Sequence, residues 1–193
     1  MIVFDLDGTL ANCEHRRHFV DPLYSLPKKS LEIHEYYTDY CRGTPPEKWE
    51  PDWKAFYEAC DKDEPIQSAI DILEYIGEGK EYGSDTPWVD YDGIEIWTGR
   101  SESVRKKTEH WFFKNIRYFN KQNLKLKMRP IGDYTPDDQL KERWLDERIN
   151  DMGNQLASSH DINFVFDSDP KSIEMWRRRG IFVFNCCQHD EEF

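Results

Sequence analysis

The chain has 193 residues, a formal net charge of −12, and 38% hydrophobic, 15% aromatic and 33% charged residues. Because the aromatic and hydrophobic residues supply enough apolar surface for a core, the composition excludes an intrinsically disordered chain. The negative charge argues against indiscriminate nucleic-acid binding, and no apolar run approaches the roughly 18 residues that span a bilayer, so we expect no membrane association. Five cysteines without a CxxC pair predict reduced thiols and a cytoplasmic protein.

Positive charge is concentrated in one segment, residues 100–129, which has ten basic and two acidic residues. Aromatic residues are interleaved with the lysines and arginines, as in grooves that follow a nucleic-acid backbone. The same aromatic residues fit a helical period, which is typical of a helix with a buried face and a solvated basic face. The sequence leaves both interpretations open.

The first predicted element is a short buried strand, Ile2–Asp5, which runs into an Asp-Gly turn signal. Residues 11–92 separate it from the next apolar strand-like run, 93–97. An interval of that length is too long for a structureless loop in a compact domain. We therefore predict an insertion with helices of its own after the first strand.

The end of this interval has the pattern of a helix that returns the chain to the sheet. In residues 63–79, DEPIQSAIDILEYIGEG, isoleucines and a leucine recur at helical spacing between a proline near the start and glycines at the end. The predicted domain organisation is a core formed by residues 1–10 and 65–193, with a small, mainly helical cap at 11–64.

Strands and helices alternate from residue 93 onward. After the 93–97 strand, the predicted elements are a helix at 101–116, a strand at 124–128, a helix from 135, a strand at 162–166, a helix at 170–179 and a strand at 181–184. Such alternation predicts a parallel sheet covered by helices on both faces. The predicted fold class is therefore α/β, with a Rossmann-like parallel sheet.

Two pairs of aspartates follow predicted strands: Asp5 with Asp7, and Asp167 with Asp169. Residues two apart in a strand point to the same side, and the carboxyl ends of parallel strands form the edge at which such sheets bind ligands. Without a cation, carboxylates gathered there would repel one another. We therefore expect a bound Mg2+, an ion that prefers oxygen ligands.

A carboxylate at this edge can act as the nucleophile of phosphoryl transfer, provided that a positive group clamps the phosphate and a second acid serves the leaving oxygen. Thr98 and the backbone N–H groups around Gly99 can bind phosphate oxygens, and Lys141 can supply positive charge. An alternative of another class is a phospho-receiver module, which also gathers acids, a threonine and a lysine but signals without turnover.

Four features, in chain order, resemble the motifs of the haloacid dehalogenase (HAD) superfamily of phosphatases: DLDGTLA, WTGRSES, Lys141 and FDSDP. Longer stretches are similar to the 3′-phosphatase domain of phage-type polynucleotide kinase/phosphatases, namely EHRRH, DWKAFYEACDKDEPI, MRPIGDYTPDDQLK and FDSDPKSIEMWRRRG. The resemblance extends over most of the chain, and it implies an α/β HAD fold and a phosphatase activity.

The resemblance also implies catalytic roles. Asp5 would be the nucleophile, and Asp7 would be the general acid and later the base that activates water. Thr98 and Lys141 would be phosphate ligands.

The implied cofactor is Mg2+, held by Asp5, the Asp7 carbonyl and Asp167, with Asp169 as a further candidate. The last motif of the family is usually Asp-Asp-Arg, whereas here Ser168 follows the first aspartate. This departure removes one adjacent acid and one arginine from the pattern.

The implied substrate is the 3′ phosphate end of a nucleic acid or nucleotide. Gly99, Arg100, Arg129 and, from the predicted cap, Arg16 would contact it. A 5′-deoxyribonucleotide is a competing substrate, because a cap limits substrate size. If the protein is phage-encoded, the host cytoplasm is its expected location; the sequence does not indicate an oligomeric state.

Overall fold

The computed structural model describes residues 1–21, 49–81, 93–116, 124–151 and 162–187. The chain divides into two compact units, one formed by Met1–Asn12 with Glu64–Phe193 and the other by Cys13–Asp63. Residues 22–48 of the predicted cap and 117–123 of the basic segment lie outside the described residues.

The first unit contains a five-stranded parallel sheet. In chain order, the described strands are β1 (Ile2–Phe4), β2 (Ala11–Asn12), β3 (Glu64–Pro65), β4 (Ile94–Ser101), β5 (Leu124–Arg129), β6 (Phe164–Asp167) and β7 (Val183–Asn185). Two of them, β2 and β3, form a separate antiparallel pair. The order in the sheet is β5-β4-β1-β6-β7. Strands β4 and β5 lie on one side of β1, and β6 and β7 lie on the other. Because the direction of strand addition reverses at β1, its carboxyl end is the topological switch point where such sheets bind ligands.

Six α-helices are described: α1 (Glu14–Arg17), α2 (Trp53–Glu58), α3 (Gln67–Glu81), α4 (Arg105–Asn115), α5 (Asp137–Asp151) and α6 (Pro170–Arg178). The first two belong to the second unit and the others to the first. In the part of the chain that the structure describes, no helix is both long and apolar enough to cross a membrane.

The two faces of the sheet bury separate cores. Ile2 and Phe4 of β1 pack into one core together with residues of α3 and α4, whereas Val3 packs into the other with residues of α5 and α6. Successive side chains of a strand point to opposite faces, so β1 is buried on both sides. The predicted α/β class, with a parallel sheet and helices on both faces, is confirmed.

The aromatic residues of α4 belong to the basic segment, residues 100–129, and the structure shows which of them are buried. Trp111 and Phe112 are buried in the first core, whereas Phe113 is exposed. Over the described part of this segment, two of the aromatics therefore serve packing.

Strand β4 is longer than predicted. Instead of ending before a turn at Thr98 and Gly99, it continues to Ser101, with a register shift against β5 between Thr98 and Ser101. An irregularity of this kind lets extra residues enter a strand while pairing continues. As a result, Thr98, Gly99 and Arg100 are held by the sheet rather than by a free loop.

Candidate active site

Asp5 lies immediately after the central strand β1, at the switch point of the sheet. The residue is 5% exposed, and its backbone N–H donates to the carbonyl oxygen of Phe166 at 2.8 Å. The hydroxyl of Thr9 donates to Asp5 Oδ2 at 3.3 Å. The acid is thus held by backbone pairing with β6 and by the turn that follows it.

The turn after Asp5 depends on a glycine. Gly8 has φ +83°, and a Cβ atom there would lie 2.6 Å from Ser168 Oγ. Only glycine adopts this conformation and this close approach without strain. Ser168 in turn donates its hydroxyl to the carbonyl oxygen of Asp7 at 3.2 Å, which ties the ends of β1 and β6 together.

Lys141 of α5 joins the two acidic strand ends. Its buried Nζ donates to Asp5 Oδ1 at 3.0 Å and to Asp167 Oδ2 at 2.8 Å. Asp167 also accepts from Trp176 Nε1 at 3.0 Å and from the backbone N–H of Asp169 at 3.1 Å. One ammonium is therefore shared by two buried carboxylates.

The pKa shifts of this cluster combine the effect of burial with the charges that surround the shared ammonium. Burial raises the pKa of Asp5 well above its usual range, and the ammonium of Lys141 opposes that rise. Burial lowers the pKa of Lys141, but the carboxylates of Asp167 and Asp5 outweigh burial and raise it above its usual range. Both groups therefore favour their protonated forms, as expected where one cation serves two anions.

A second acid–cation pair lies at the same edge of the sheet. Arg100 of β4 donates from Nε at 2.8 Å and from Nη2 at 2.5 Å to Asp7 Oδ1. The arginine side chain is fully buried, whereas that of Asp7 is 23% exposed. The backbone N–H of Arg100 donates to Thr98 Oγ1 at 3.2 Å. Asp7 is thus oriented from β4 and is more accessible than Asp5.

Asp137, the first residue of α5, is a component of the site that the sequence analysis missed. A Cβ atom on Gly99 would overlap its carboxylate, and Arg129 Nη2 donates to its Oδ1. Partial burial raises the pKa of Asp137, against the opposing charges of Lys141 and Arg129. The signal was its position four residues before Lys141, which puts both side chains on one helix face.

The donor chemistry of this edge fits Mg2+. The structure describes no group of three or more Asp, Glu, His or Cys side chains arranged around a metal position. However, Mg2+ is usually held by one or two carboxylates, with water and substrate phosphate completing the shell. Asp5 and Asp167 supply two carboxylates, the Asp7 carbonyl supplies a third oxygen, and carboxylates that share one ammonium leave room for more positive charge.

Residues 57–191 match the family model described as the polynucleotide kinase PNKP phosphatase domain, and this match covers more than half of the chain. The chain belongs to this family. The predicted family and the predicted enzyme class, a HAD-type phosphatase, are confirmed. The matched range includes Thr98, Lys141 and Asp167 but begins after Asp5 and Asp7.

Three similar proteins support this family assignment or the fold. The chain is 31% identical over 105 residues to a putative bifunctional polynucleotide kinase/RNA ligase of Autographa californica nuclear polyhedrosis virus, covering 53% of this chain and 14% of the relative. A chain in the structure of the Pnkp1/Rnl/Hen1 RNA repair complex matches with a TM-score of 0.55 and 19% identity, covering 95% of this chain and 41% of that one. A second structure of the Pnkp1/Rnl/Hen1 complex gives 0.54 and 20%, covering 96% and 45%. This chain thus spans less than half of the length of each of these proteins.

Most residues predicted for the site lie at one edge of the sheet, although Asp5 and Asp7 precede the range matched by the family model. Contacts at the carboxyl edge of the sheet link Asp5, Asp7, Thr98, Arg100, Lys141 and Asp167. Gly99 lies between Thr98 and Arg100 and packs against Asp137.

Arg129 and Asp169 are engaged by protein groups near this edge. Arg129 donates from Nε to the carbonyl of Gly99 at 2.8 Å and from Nη1 to the carbonyl of Thr135, so it braces the loop after β5. Asp169 is the N-cap of α6, since its Oδ2 accepts from the backbone N–H and the hydroxyl of Ser172 at 2.8 and 2.7 Å. The proposed substrate contacts therefore do not include Arg129, and the proposed metal ligands do not include Asp169.

Arg16 belongs to the second unit. Its fully buried guanidinium donates from Nε and Nη2 to the two carboxylate oxygens of Asp63, at 2.7 and 2.8 Å, and stacks over the ring of Phe56 at 4.1 Å. These contacts describe an internal ion pair of that unit, so Arg16 is also left out of the proposed ligands.

Proposed function

We propose that this protein is a Mg2+-dependent phosphomonoesterase that removes a phosphate from the 3′ end of a nucleic acid or nucleotide through an aspartyl-phosphate intermediate. The observation that carries the proposal is the buried Asp5 carboxylate, which lies at the switch point and is hydrogen-bonded to an ammonium shared with Asp167. Family membership supports phosphatase chemistry, and the polynucleotide kinase/RNA ligase relative supports a nucleic-acid substrate. The proposed site of action is the cytoplasm.

In the first step, a carboxylate oxygen of Asp5 attacks the phosphorus atom and the bond from phosphorus to the 3′ oxygen breaks. The leaving oxygen takes a proton from the carboxyl group of Asp7, which Arg100 holds in orientation. Lys141 and Thr98 stabilise the charge on the transferred phosphoryl group. The products are the 3′-hydroxyl end and a phosphorylated Asp5.

In the second step, Asp7, now a carboxylate, takes a proton from a water molecule whose oxygen attacks the phosphorus. The acyl phosphate bond breaks, inorganic phosphate leaves, and both aspartates return to their starting forms. Bound at Asp5, Asp167 and the Asp7 carbonyl, Mg2+ would supply positive charge that offsets the carboxylates and the phosphoryl oxygens.

The nucleophile is tested by Asp5→Asn, with Asp71→Asn as the matched control because Asp71 is an exposed carboxylate of α3. We expect Asp5→Asn to lower phosphate release by a factor on the order of 10³ or more, since the nucleophile is lost. The control should keep wild-type activity. Near wild-type turnover by Asp5→Asn would refute the assignment.

The substrate is tested by comparing phosphate release from 3′-phosphorylated DNA and RNA oligonucleotides, 3′-mononucleotides and 5′-deoxyribonucleotides, each with Mg2+ and with a chelator. We expect the 3′-phosphorylated ends to give the highest kcat/KM and the chelator to abolish release. A strong preference for 5′-deoxyribonucleotides would replace the proposed substrate by the alternative one.

A further inference from the structure

The loop at residues 130–136 connects β5 to α5 at the same edge of the sheet as the acidic cluster. It carries two large, solvent-exposed hydrophobic side chains, Ile131 (73% exposed) and Tyr134 (80% exposed). An isoleucine and a tyrosine on one short loop thus present apolar and aromatic surface that a ligand could contact. The loop is therefore a candidate contact surface.

The loop is held in a fixed shape by polar contacts. Arg129 Nη1 donates to the carbonyl oxygens of Asp133 and Thr135, and Arg143 Nη2 lies 2.5 Å from Asp133 Oδ2. The backbone N–H of Thr135 donates to Asp133 Oδ1 at 2.8 Å. Tyr134 lies between Asp133 and Thr135, which these hydrogen bonds hold in place. Its side chain is therefore exposed from a loop of defined shape.

Arg129 also connects the loop to β4, the strand that contains Thr98 and Gly99. Arg129 Nε donates to the carbonyl of Gly99 at 2.8 Å, and its Nη2 binds Asp137, whose carboxylate packs against Gly99. The loop is therefore built onto the residues proposed to hold the phosphoryl group. A nucleotide whose 3′ phosphate reaches Asp5 would bring its base to the surroundings of this edge.

We propose that Tyr134 stacks against a nucleobase of the 3′-phosphorylated strand and that this contact makes the enzyme prefer nucleic-acid ends over other phosphate esters. The inference rests on the proposed function. A tyrosine suits the role because its ring offers a flat face to any base and loses little side-chain freedom on binding. Ile131, on the same loop, extends the apolar surface around the ring.

The test uses Tyr134→Ala, Tyr134→Phe and Tyr134→Trp, with Tyr75→Ala as the matched control. Tyr75 lies on α3 and is 79% exposed, so it loses the same ring from an equally exposed position in a different element. Two substrates are compared: a 3′-phosphorylated oligonucleotide and the same oligonucleotide with abasic terminal and penultimate nucleotides.

We expect Tyr134→Ala to lower kcat/KM on the complete oligonucleotide by between about fivefold and about a hundredfold, mainly through KM, because one base–aromatic stack is lost. Its kcat/KM on the abasic oligonucleotide should match wild type. Tyr134→Phe and Tyr134→Trp should keep the preference for the complete oligonucleotide, and Tyr75→Ala should change neither rate.

Three outcomes would overturn the inference. If wild type acts on the oligonucleotide and Tyr134→Ala matches it on both substrates, the stacking role fails while the proposed function stands, and the loop surface would be assigned to a protein partner. An equal loss on both substrates would assign Tyr134 to the integrity of the loop. If wild type releases no phosphate from either oligonucleotide, the proposed substrate fails and the stacking role fails with it.

Discussion

Each unit of the molecule contains a buried ion cluster, and the two clusters differ in charge balance. In the second unit, one guanidinium, that of Arg16, meets one carboxylate, that of Asp63, in two hydrogen bonds. In the first unit, one ammonium, that of Lys141, is shared by the carboxylates of Asp5 and Asp167. In the first arrangement one guanidinium binds both oxygens of one carboxylate, whereas in the second two carboxylates share one ammonium.

This difference distinguishes the ion pair of the second unit from the cluster that we propose to be reactive. A bidentate arginine–carboxylate pair satisfies both ions, and His15 Nε2 adds a further contact to Asp63 Oδ1 at 2.8 Å. Where two carboxylates share one cation there is room for more positive charge; burial raises the pKa of Asp5, and the two carboxylates raise that of Lys141. Under the proposed function, this cluster would trade stability for affinity for a metal ion and for a reactive carboxylate.

The largest effect is expected from Lys141→Met. Removing the shared cation leaves two buried carboxylates facing each other, which should lower the free energy of unfolding by about 3 to 5 kcal/mol. Because Lys141 is a proposed phosphate ligand, its loss should also lower the rate by about 10² to 10³. Denaturant unfolding and steady-state kinetics measure the two effects, with Lys171→Met, an exposed lysine of α6, as the control. A variant with wild-type stability would show that the ammonium does not hold the cluster together.

A smaller effect is expected from Asp63→Asn. The substitution leaves the buried guanidinium of Arg16 without its carboxylate and should lower the free energy of unfolding by about 3 kcal/mol. The control is Asp61→Asn, two residues away and exposed, which should change unfolding by less than about 0.5 kcal/mol. Equal effects of the two variants in denaturant unfolding would mean that the buried pair contributes no more than a surface carboxylate does.

The smallest expected effect has the opposite sign. Asp5→Asn replaces a carboxyl group whose charged form is disfavoured by burial with a neutral amide, so the metal-free protein at neutral pH should become more stable, by about 1 kcal/mol. The pH dependence identifies the cause. Because the pKa of Asp5 is raised in the folded state, the native protein holds a proton that the unfolded chain has already lost.

The contribution of Asp5 to the stability of the metal-free protein therefore rises as the pH falls through its raised pKa, and it is complete near the ordinary carboxyl value of about 4. Asp5→Asn should remove this rise. Urea unfolding in a chelator at several pH values between about 5 and 8 measures it for both proteins. Parallel pH profiles for wild type and Asp5→Asn would contradict the assigned pKa shift.

The sequence by itself determined the fold class and indicated the edge of the sheet at which acidic residues gather. Short-range periodicity of the hydrophobic residues predicts the alternating strands and helices. The aspartates of DLDGT and FDSDP follow strands whose carboxyl ends share one edge of a parallel sheet. The resemblance to HAD phosphatases used the same local features. These properties could be read without coordinates because they depend on neighbours within a few residues.

Only the tertiary structure decided what each charged side chain contacts. Arg129, Asp169 and Arg16 carry the right charges for substrate or metal, yet their hydrogen bonds go to a loop, a helix N-terminus and a carboxylate of the second unit. In the same way, Asp137 and the extension of β4 through Gly99 became visible only when α5 and β5 lay beside that strand. The physical reason is that a charged group binds the nearest complementary group in space, and that group is set by the order of strands in the sheet and by the packing of helices on it.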